Sequence, residues 1–291
     1  MIRERFRAMG TSMEILLDAP EGPGARAAVA AGRAEIDRLE GVMSRFRPDS
    51  DLSRLNARRR GRVGPDLMRV LLAALDLRRR TGGRFDPTVG RAVRAAGYDR
   101  DFAEVAGADP RPAGRPAPAG GTVAVDRASG GVLLGPGVDL DLGAIAKGDA
   151  ADRACALVAH EGPCLVNAGG DVVVSGPRPD GGWPVALAAA DGELVLDLAS
   201  GALATSGVDR RRWERAGRPV HHAMDPRTGA SAPTDLVRAT VAAPTGAEAD
   251  AIATALLVAG ADEARRLADA WSVPAALVSA DGATTLAGGL A

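Results

Sequence analysis

The chain has 291 residues, 46% of them apolar and 25% charged, with a net charge of −1. This composition is that of a globular protein and excludes wholesale disorder. The balanced charge provides no basic excess for general binding to nucleic acids or anionic membranes, and an aromatic content of 3% argues against a base-stacking surface.

Hydrophobic periodicity predicts the elements of the first half of the chain. We expect a strand at residues 12–17 and helices at about residues 25–46 and 65–80. Gly82 and Gly83 follow the second helix, as glycines commonly do at a helix end. Residues 107–121 are rich in Pro, Gly and Ala and predict a loop, and the flanking sequence predicts short strands at 122–126 and 131–134.

The second half is predicted to be rich in strands. A helix is expected at about residues 146–161, and two further helices are expected at 247–258 and 262–271. The predicted strands lie at residues 164–167, 171–175, 183–188, 193–198, 236–242 and 275–279. Because strands come in groups with helices between the groups, an α+β fold is favoured over a doubly wound parallel sheet. We expect residues 1–291 to form one domain.

Three simple features bound the chemistry and the location. Cys155 and Cys164 are the only cysteines, too few for a disulfide framework or a zinc-binding set. Lys147 is the only lysine among 36 basic residues. No stretch of about 20 apolar residues is present, and the N-terminus does not resemble a secretory signal. The sequence therefore predicts a cytoplasmic protein.

A first candidate site spans residues 139–152. Asp139 and Asp141 lie at the end of a predicted strand, Gly143 permits a tight turn, and a helix begins near Ala146. The free amide groups of a helix start can hold phosphate oxygens, and Lys147 would add a positive charge there. An ordinary strand–turn–helix with exposed charges would have the same spacing. This segment alone therefore does not distinguish a phosphate-binding site from an ordinary turn.

A second candidate site lies in residues 244–254. Asp250 and Thr254 are four residues apart and share one face of the predicted helix. A carboxylate and a hydroxyl suit Mg²⁺, which keeps several waters and relies on substrate phosphates. Both side chains could instead be solvated, or Thr254 could bond back to a carbonyl. The helix is otherwise apolar, so a buried Asp250 would require a partner.

A third group combines Ser206-Gly207 with the segment at residues 221–229. His222 can move a proton near neutral pH, although a histidine pair is more often a packing or surface feature. Glycine-rich segments at residues 9–11, 81–90 and 167–171 indicate turns or close approach of a flat ligand. No Gly-x-Ser-x-Gly elbow, Gly-x-Gly-x-x-Gly fingerprint or phosphate-binding P-loop is present.

Taken together and in order, these segments resemble the FAD:protein FMN transferases, the ApbE family. The resemblance extends from Met9 to about Gly260. It is carried by residues 9–11, 46–56, 83–90, 141–148, 167–171, 205–207, 222–229 and 249–254. It implies an ApbE-like α+β fold of mixed, largely antiparallel sheets with packed helices, and a FAD cleft between sub-lobes.

The resemblance also implies an activity: Mg²⁺-dependent transfer of the FMN part of FAD to a Thr or Ser of a target flavoprotein, with release of AMP. Asp250, Thr254 and the backbone carbonyl of Ala144 match metal ligands. His222 matches the proposed base, while Asp225 would orient that imidazole or cap a turn. The positions that match FAD contacts or the same cleft are Met9, Phe46, Arg84, Phe85, Asp86, Asp141, Lys147, Ser206 and Gly207.

The sequence departs from the family pattern after Ser206-Gly207. Val208-Asp209 replaces a frequent aromatic residue, and residues 210–215 are unusually basic. The family's acceptor form, Asp-x-x-Ser/Thr-Gly-Ala-Thr/Ser, is nowhere complete in this chain, so self-modification is not expected. Two other functions stay open: Mg²⁺-dependent hydrolysis of FAD to FMN and AMP, and non-catalytic flavin binding.

Overall fold

A computed structural model describes residues 1–105, 107–189 and 192–290. The strands are β1 (Ile2–Ala8), β2 (Thr11–Leu17), β3 (Arg60–Arg62), β4 (Ala108–Asp109), β5 (Val123–Asp126), β6 (Gly131–Leu134), β7 (Cys164–Ala168), β8 (Asp171–Ser175), β9 (Trp183–Ala189), β10 (Gly192–Leu198), β11 (Gly201–Gly207), β12 (Arg212–Arg215), β13 (Arg218–His221), β14 (Met224–Asp225), β15 (Ala230–Ser231), β16 (Leu236–Ala243), β17 (Ala275–Ser279) and β18 (Thr284–Ala287). The helices are α1 (Pro23–Met43), α2 (Asp51–Arg58), α3 (Pro65–Arg80), α4 (Gly90–Ala95), α5 (Phe102–Val105), α6 (Ala146–Val158), α7 (Gly246–Ala259) and α8 (Ala261–Trp271).

The centre of the fold is an eight-stranded sheet in the order β1-β2-β7-β8-β11-β16-β17-β18. Every neighbouring pair in this sheet is antiparallel. The eight strands follow one another in chain order. Helices α1–α6 lie in the connection between β2 and β7, and α7 and α8 lie between β16 and β17. The predicted α+β class, with largely antiparallel sheets and packed helices, is confirmed.

The two faces of this sheet are covered differently. Alternate side chains of a strand point to opposite faces, and Ile15 of β2 and Val166 of β7 join the main core beneath α1, α6 and α7. On the other face, Leu165 and Val172 join a smaller cluster with Trp183 of β9. The β9–β10 hairpin, a two-stranded ribbon, therefore packs on the face opposite the helices.

A third apolar cluster lies beside the main sheet. Ala92 and Val93 of α4 pack there with Tyr98, Trp213 and Met224. The predicted loop at 107–121 crosses this region and is irregular over most of its length. The loop prediction is wrong for its first residues, because Ala108–Asp109 form β4, which pairs with β12 in parallel. Parallel pairing with a strand about a hundred residues away leaves no local periodicity to detect.

Two predicted helices end earlier than expected. The helix predicted at 25–46 ends at Met43, where Ser44 adopts an extended conformation. The Ser50 hydroxyl donates to the Ser44 carbonyl and its oxygen accepts from Ser53 N, so the chain turns into α2, which the prediction omitted. The helix predicted at 146–161 ends at Val158 and continues as a 3-10 turn, Ala159–Glu161.

Several short elements were absent from the prediction, including β1, α4, β11–β15 and β18. Strand β1 alternates half-buried and exposed residues, but four of its seven residues are charged and hid the period-two pattern. The strand predicted at 275–279 is not the final one, because β18 pairs with it. Across residues 1–105, 107–189 and 192–290, no helix combines the length and the apolar character needed to cross a membrane.

Candidate active site

One cavity of about 860 Å³ brings together every predicted site residue except Asp225. These residues come from seven separate regions of the sequence, between Met9 and Thr254. The cavity is lined by the predicted residues Met9, Phe46, Arg84, Phe85, Asp86, Asp141, Ala144, Lys147, Ser206, Gly207, His222, Asp250 and Thr254.

The first turns of α6 and α7 meet at one side of the cavity through two glycines. A Cβ atom added to Gly148 would lie 2.1 Å from the carbonyl oxygen of Gly246, so the two backbones are in direct contact. The Asp152 carboxylate strengthens this contact, because it accepts from Gly246 N at 2.7 Å and Ala247 N at 3.0 Å. The close approach places Lys147 of α6 beside Asp250 of α7.

Lys147, Asp250 and Asp171 form a buried charged cluster. Lys147 Nζ lies 2.9 Å from Asp250 Oδ2 and 2.8 Å from Asp171 Oδ2. The two aspartates are 3% and 2% exposed. Burial alone would lower the pKa of Lys147, but the two carboxylates raise it above its usual range. Burial raises the pKa of Asp250, and Lys147 opposes that rise.

Asp171 is a site residue that the sequence did not single out. In the sequence it is only the last residue of the glycine-rich segment 167–171. The available signal was its position at the start of a strand of buried valines, β8, where a charged side chain needs a partner. Thr205 N on the neighbouring strand β11 donates to Asp171 Oδ1 at 3.2 Å, which fixes the carboxylate toward the cavity.

The predicted metal ligands can be tested against the donors present. Asp250 supplies a buried carboxylate, and Thr254 Oγ1, one helical turn later, hydrogen-bonds Ser206 Oγ at 2.8 Å. Ala144 lines the same cavity. Among the described residues no three His, Cys, Asp or Glu side chains cluster as a metal site. A set of hard oxygens with a single carboxylate fits Mg²⁺ that completes its coordination with water and substrate phosphate.

His222 also lines the cavity, and its Nδ1 atom is buried with no hydrogen-bond partner among the residues that the structure describes. Burial lowers the pKa of His222 to about 3, and the positive charges of Arg211 and Lys147 contribute. The imidazole is therefore neutral at pH 7 and has an acceptor nitrogen available.

Asp225 caps a turn in this structure. Its Oδ1 accepts from Arg227 N at 2.9 Å, and the Arg227 guanidinium pairs with the carboxylate. Asp225 O accepts from Gly229 N at 2.8 Å, which closes the turn that follows His222. Of the two roles left open from the sequence, these contacts correspond to the turn cap.

Two tight turns from the sheet border the cavity. Met9 and Gly10 both have positive φ, 51° and 69°, between β1 and β2. A methionine rarely adopts this conformation, and such strain is concentrated at functional sites. Gly169 and Gly170 form the corresponding turn between β7 and β8, and a Cβ at Gly169 would collide with the Thr11 side chain.

Another part of the cavity is an aromatic wall of Phe46, Tyr98 and Phe102. Phe46 and Tyr98 have their ring centroids 5.4 Å apart, and Tyr98 and Phe102 are 5.9 Å apart, edge to face. The Arg45 guanidinium lies over Phe46 and Tyr98, and its Nε is 2.9 Å from Asp141 Oδ2. The sequence predicted Phe46 and Asp141, but it did not identify Arg45 as the residue that joins them.

The predicted segment at 83–90 is tied into the protein by its own contacts. Asp86 is buried, accepts from Thr88 N and Thr88 Oγ1, and pairs with Arg78. Arg84 pairs with Glu263 of α8. Phe85 is 3% exposed. The rim of the cavity here is therefore supported from inside the core.

The departures from the family pattern also lie at the cavity. Asp209 pairs with Arg238, and both line the cavity beside Gly207. In the basic segment 210–215, Arg210 and Arg211 line the cavity, whereas Trp213 is buried and Arg215 pairs with Asp109. Arg210 and Arg211 thus face the cavity, whereas Trp213 and Arg215 hold the segment to the protein by packing and by an ion pair.

The ApbE family model matches residues 9–277. The FAD:protein FMN transferase of Rhodobacter capsulatus is 33% identical over 95% of this chain and 55% of its own length, so the chain spans about half of that relative. The Klebsiella pneumoniae protein of the same name is 29% identical over 90% of this chain and 79% of its own length.

A solved structure agrees with the sequence matches. The crystal structure of the ApbE protein of Thermotoga maritima superposes with a TM-score of 0.85 at 27% identity, covering 98% of this chain and 96% of that one. Its α+β architecture is thus shared over nearly the whole length. The family model, the curated relatives and the fold agree, and the chain belongs to the ApbE family.

Proposed function

We propose that this protein transfers the FMN part of FAD to a Thr or Ser hydroxyl of an acceptor flavoprotein and releases AMP. The observation that carries the proposal is the buried Lys147–Asp171–Asp250 cluster in the same cavity as His222, whose Nδ1 has no hydrogen-bond partner among the described residues. The names of the relatives agree with this chemistry. The acceptor is expected to carry the form Asp-x-x-Ser/Thr-Gly-Ala-Thr/Ser.

Asp250, Thr254 and the carbonyl of Ala144 would hold the Mg²⁺. Bound there, the ion would neutralise charge on the diphosphate of FAD. Lys147 already lies against Asp250 with a raised pKa, so it stays positive when the nucleotide enters and adds a second positive charge at the diphosphate. Asp171 keeps the ammonium in this position by pairing with it from the sheet side.

His222 would take the proton of the acceptor hydroxyl. The acceptor oxygen forms a bond to the phosphorus of the FMN phosphate, while the bond from that phosphorus to the bridging oxygen breaks and its electron pair leaves with AMP. A pKa of about 3 makes His222 a weak base in the free protein. The negative charges of bound FAD would offset Arg211 and Lys147, which raises that pKa toward the working pH.

The aromatic wall would bind a ring of the nucleotide. Phe46 is 39% exposed at the cavity, where Tyr98 packs against it at a tilt and the Arg45 guanidinium lies over its ring. The exposed part of the ring would contact an adenine or a flavin. Met9 provides a second apolar contact in the strained β1–β2 turn. Stacking of this kind typically contributes about 0.5–1.5 kcal/mol for each aromatic pair.

The test is mass spectrometry of an acceptor domain after incubation with this protein, FAD and Mg²⁺. We expect the acceptor to gain one FMN in phosphoester linkage while AMP appears in equal amount. Free FMN formed equally fast with and without the acceptor would instead identify a hydrolase. Tight FAD binding without any AMP would identify a flavin carrier.

A further inference from the structure

Strand β9 of the β9–β10 hairpin has one edge that pairs with no other strand in the described part of the chain. Its other edge pairs with β10 over seven residues. An unpaired strand edge offers a row of backbone N–H and C=O groups to an incoming strand. Most proteins protect such an edge from pairing with other chains, so the residues around an unprotected edge can indicate what binds there.

The active-site cavity runs along this free edge. Successive side chains of a strand point to opposite faces, so a cavity that touched one face of β9 would contact alternate residues. Four consecutive residues, from Pro184 to Leu187, line the cavity. Leu165 and Val172 on the underlying sheet also line it, and they give this part of the cavity an apolar floor.

Pro184 indicates which backbone groups face the cavity. Proline has no N–H and fits a strand where its nitrogen faces away from the ladder. Because antiparallel residues alternate between the two edges, Ala186 then has its N–H and C=O on the same free edge as Pro184. Val195, the cross-strand partner of Ala186, has its groups on the far edge of β10 and does not line the cavity.

Two arginines give the same cavity a positive charge. Arg210 and Arg211 line it, and no carboxylate among the described residues pairs with either. Arg210 makes one side-chain hydrogen bond, at 3.4 Å to the Gly169 carbonyl in the β7–β8 turn. Arg238, in contrast, is neutralised by Asp209. With Arg211 facing the charge of bound FAD, the remaining charge of Arg210 favours an acceptor segment that carries a carboxylate.

We infer that an extended, carboxylate-bearing segment of the acceptor protein binds as an additional strand along the free edge of β9. This inference rests on the proposed function and states how its protein substrate is held. Backbone hydrogen bonds to Ala186 fix the register of the segment, its alternate side chains pack on Leu165 and Val172, and its carboxylate pairs with Arg210. The segment then leads the acceptor hydroxyl toward His222 in the same cavity.

The first experiment compares Ala186→Pro with Val195→Pro, using a whole acceptor domain as the substrate. Both changes remove an outward N–H at the same register position, but only Ala186 faces the cavity. We expect Ala186→Pro to raise KM for the acceptor at least about tenfold, with the Kd for FAD unchanged. Val195→Pro should change neither value. Equal effects of the two variants, or none from Ala186→Pro, would overturn the inference.

A charge pair sharpens the same test. Arg210→Glu should raise KM for the acceptor about tenfold at low salt and less at high salt, because added ions screen the interaction. Arg212 is exposed and does not line the cavity, so Arg212→Glu is the matched control. If both reversals change KM equally, Arg210 has no specific role in docking.

Hydrogen exchange needs no substitution and decides the matter if the proline variants fold poorly. Adding the acceptor domain to the wild-type protein should slow amide exchange in β9 at least about tenfold and leave the far edge of β10 unchanged. Unaltered exchange in β9 contradicts the docking mode. A wild-type protein that modifies no acceptor contradicts the proposed function itself, so the two failures are distinguishable.

Discussion

Two regions of the cavity are built in opposite ways. On the charged side, Lys147, Asp250 and Asp171 lie on helices α6 and α7 and on the central strand β8, and His222 follows β13. The aromatic wall of Phe46, Tyr98 and Phe102 rests on the loop after α1 and on short helical segments. Asp171 is 2% exposed, whereas Phe46 is 39% exposed.

This difference separates two requirements of the proposed reaction. Phosphoryl transfer depends on charges held in fixed positions before the substrate arrives, and a packed helix pair provides that. Ring binding tolerates small shifts, because stacking depends weakly on exact position, and a loop is sufficient. Substitutions on the charged side should therefore reduce catalysis, and substitutions in the wall should mainly reduce nucleotide affinity.

The largest effect is expected from His222→Ala. Loss of a general base typically costs about 10²–10⁴-fold in rate, so kcat should fall by that factor. The Kd for FAD, measured by flavin fluorescence, should change little because the imidazole acts on the acceptor hydroxyl. Unchanged kcat would remove His222 from the reaction.

The pH dependence of stability provides a second measurement on the same variant. The pKa of His222 is about 3 in the folded protein, below the ordinary value of 6.5. As the pH falls below about 6.5 the unfolded chain binds a proton that the folded chain does not, so the free energy of unfolding decreases toward acid pH. Denaturant titrations should show a shallower decrease in His222→Ala; an identical slope would contradict the buried, neutral imidazole.

Asp250→Asn should be next in size. The amide keeps the shape but loses the only carboxylate among the proposed Mg²⁺ ligands, and the apparent affinity for Mg²⁺ should fall at least about 100-fold. Activity measured against Mg²⁺ concentration tests this. Glu248→Gln, on the same helix but paired with Arg80 at the surface, is the control and should leave the Mg²⁺ curve in place.

Gly148→Ala tests the helix contact that supports the charged side. The added methyl group would collide with the Gly246 carbonyl, so α6 and α7 must separate, at a cost of about 1–3 kcal/mol in unfolding free energy. Chemical denaturation measures the loss. Gly41→Ala, in α1 with no atom within 4 Å of the new methyl, should instead stabilise the protein slightly. Equal values for both would show that the glycine contact is not tight.

The smallest effect is expected in the aromatic wall. Phe46→Ala should weaken FAD binding by about tenfold, near the upper end for one stacked aromatic pair, with kcat nearly unchanged. Isothermal titration with FAD gives the change in Kd. Leu133→Ala removes a similarly exposed apolar side chain outside the cavity and should have no effect. A larger fall in kcat than in affinity would contradict the division between the two sides.

Most of the long elements could be predicted from the sequence, because the amphipathic period of α3 and the apolar runs of α7 and β16 are strong and local. The cavity residues were found as separate motifs, and each motif pointed to its own chemistry. Asp250 is an example of what such a motif can predict. A carboxylate in an apolar helix requires a partner, and Lys147 is that partner.

Pairings over long sequence distances were not predictable. Arg45 joins Asp141 across about a hundred residues, and nothing near either residue signals the contact. Asn56 is a similar case. It hydrogen-bonds both backbone groups of Leu140, so this motif residue supports the segment before Asp141, which follows the end of β6, and it does not line the cavity. Short strands such as β12 depend on neighbours that only the folded sheet provides.

The single lysine of the sequence has a practical consequence. Besides the N-terminus, Lys147 is the only amine that an acylating reagent can modify, and its two carboxylate partners keep it protonated and unreactive. The rate at which such a reagent labels this one position reports directly on whether the ion pairs are closed. One residue thus serves as a built-in chemical probe of the site, readable by mass without any introduced tag.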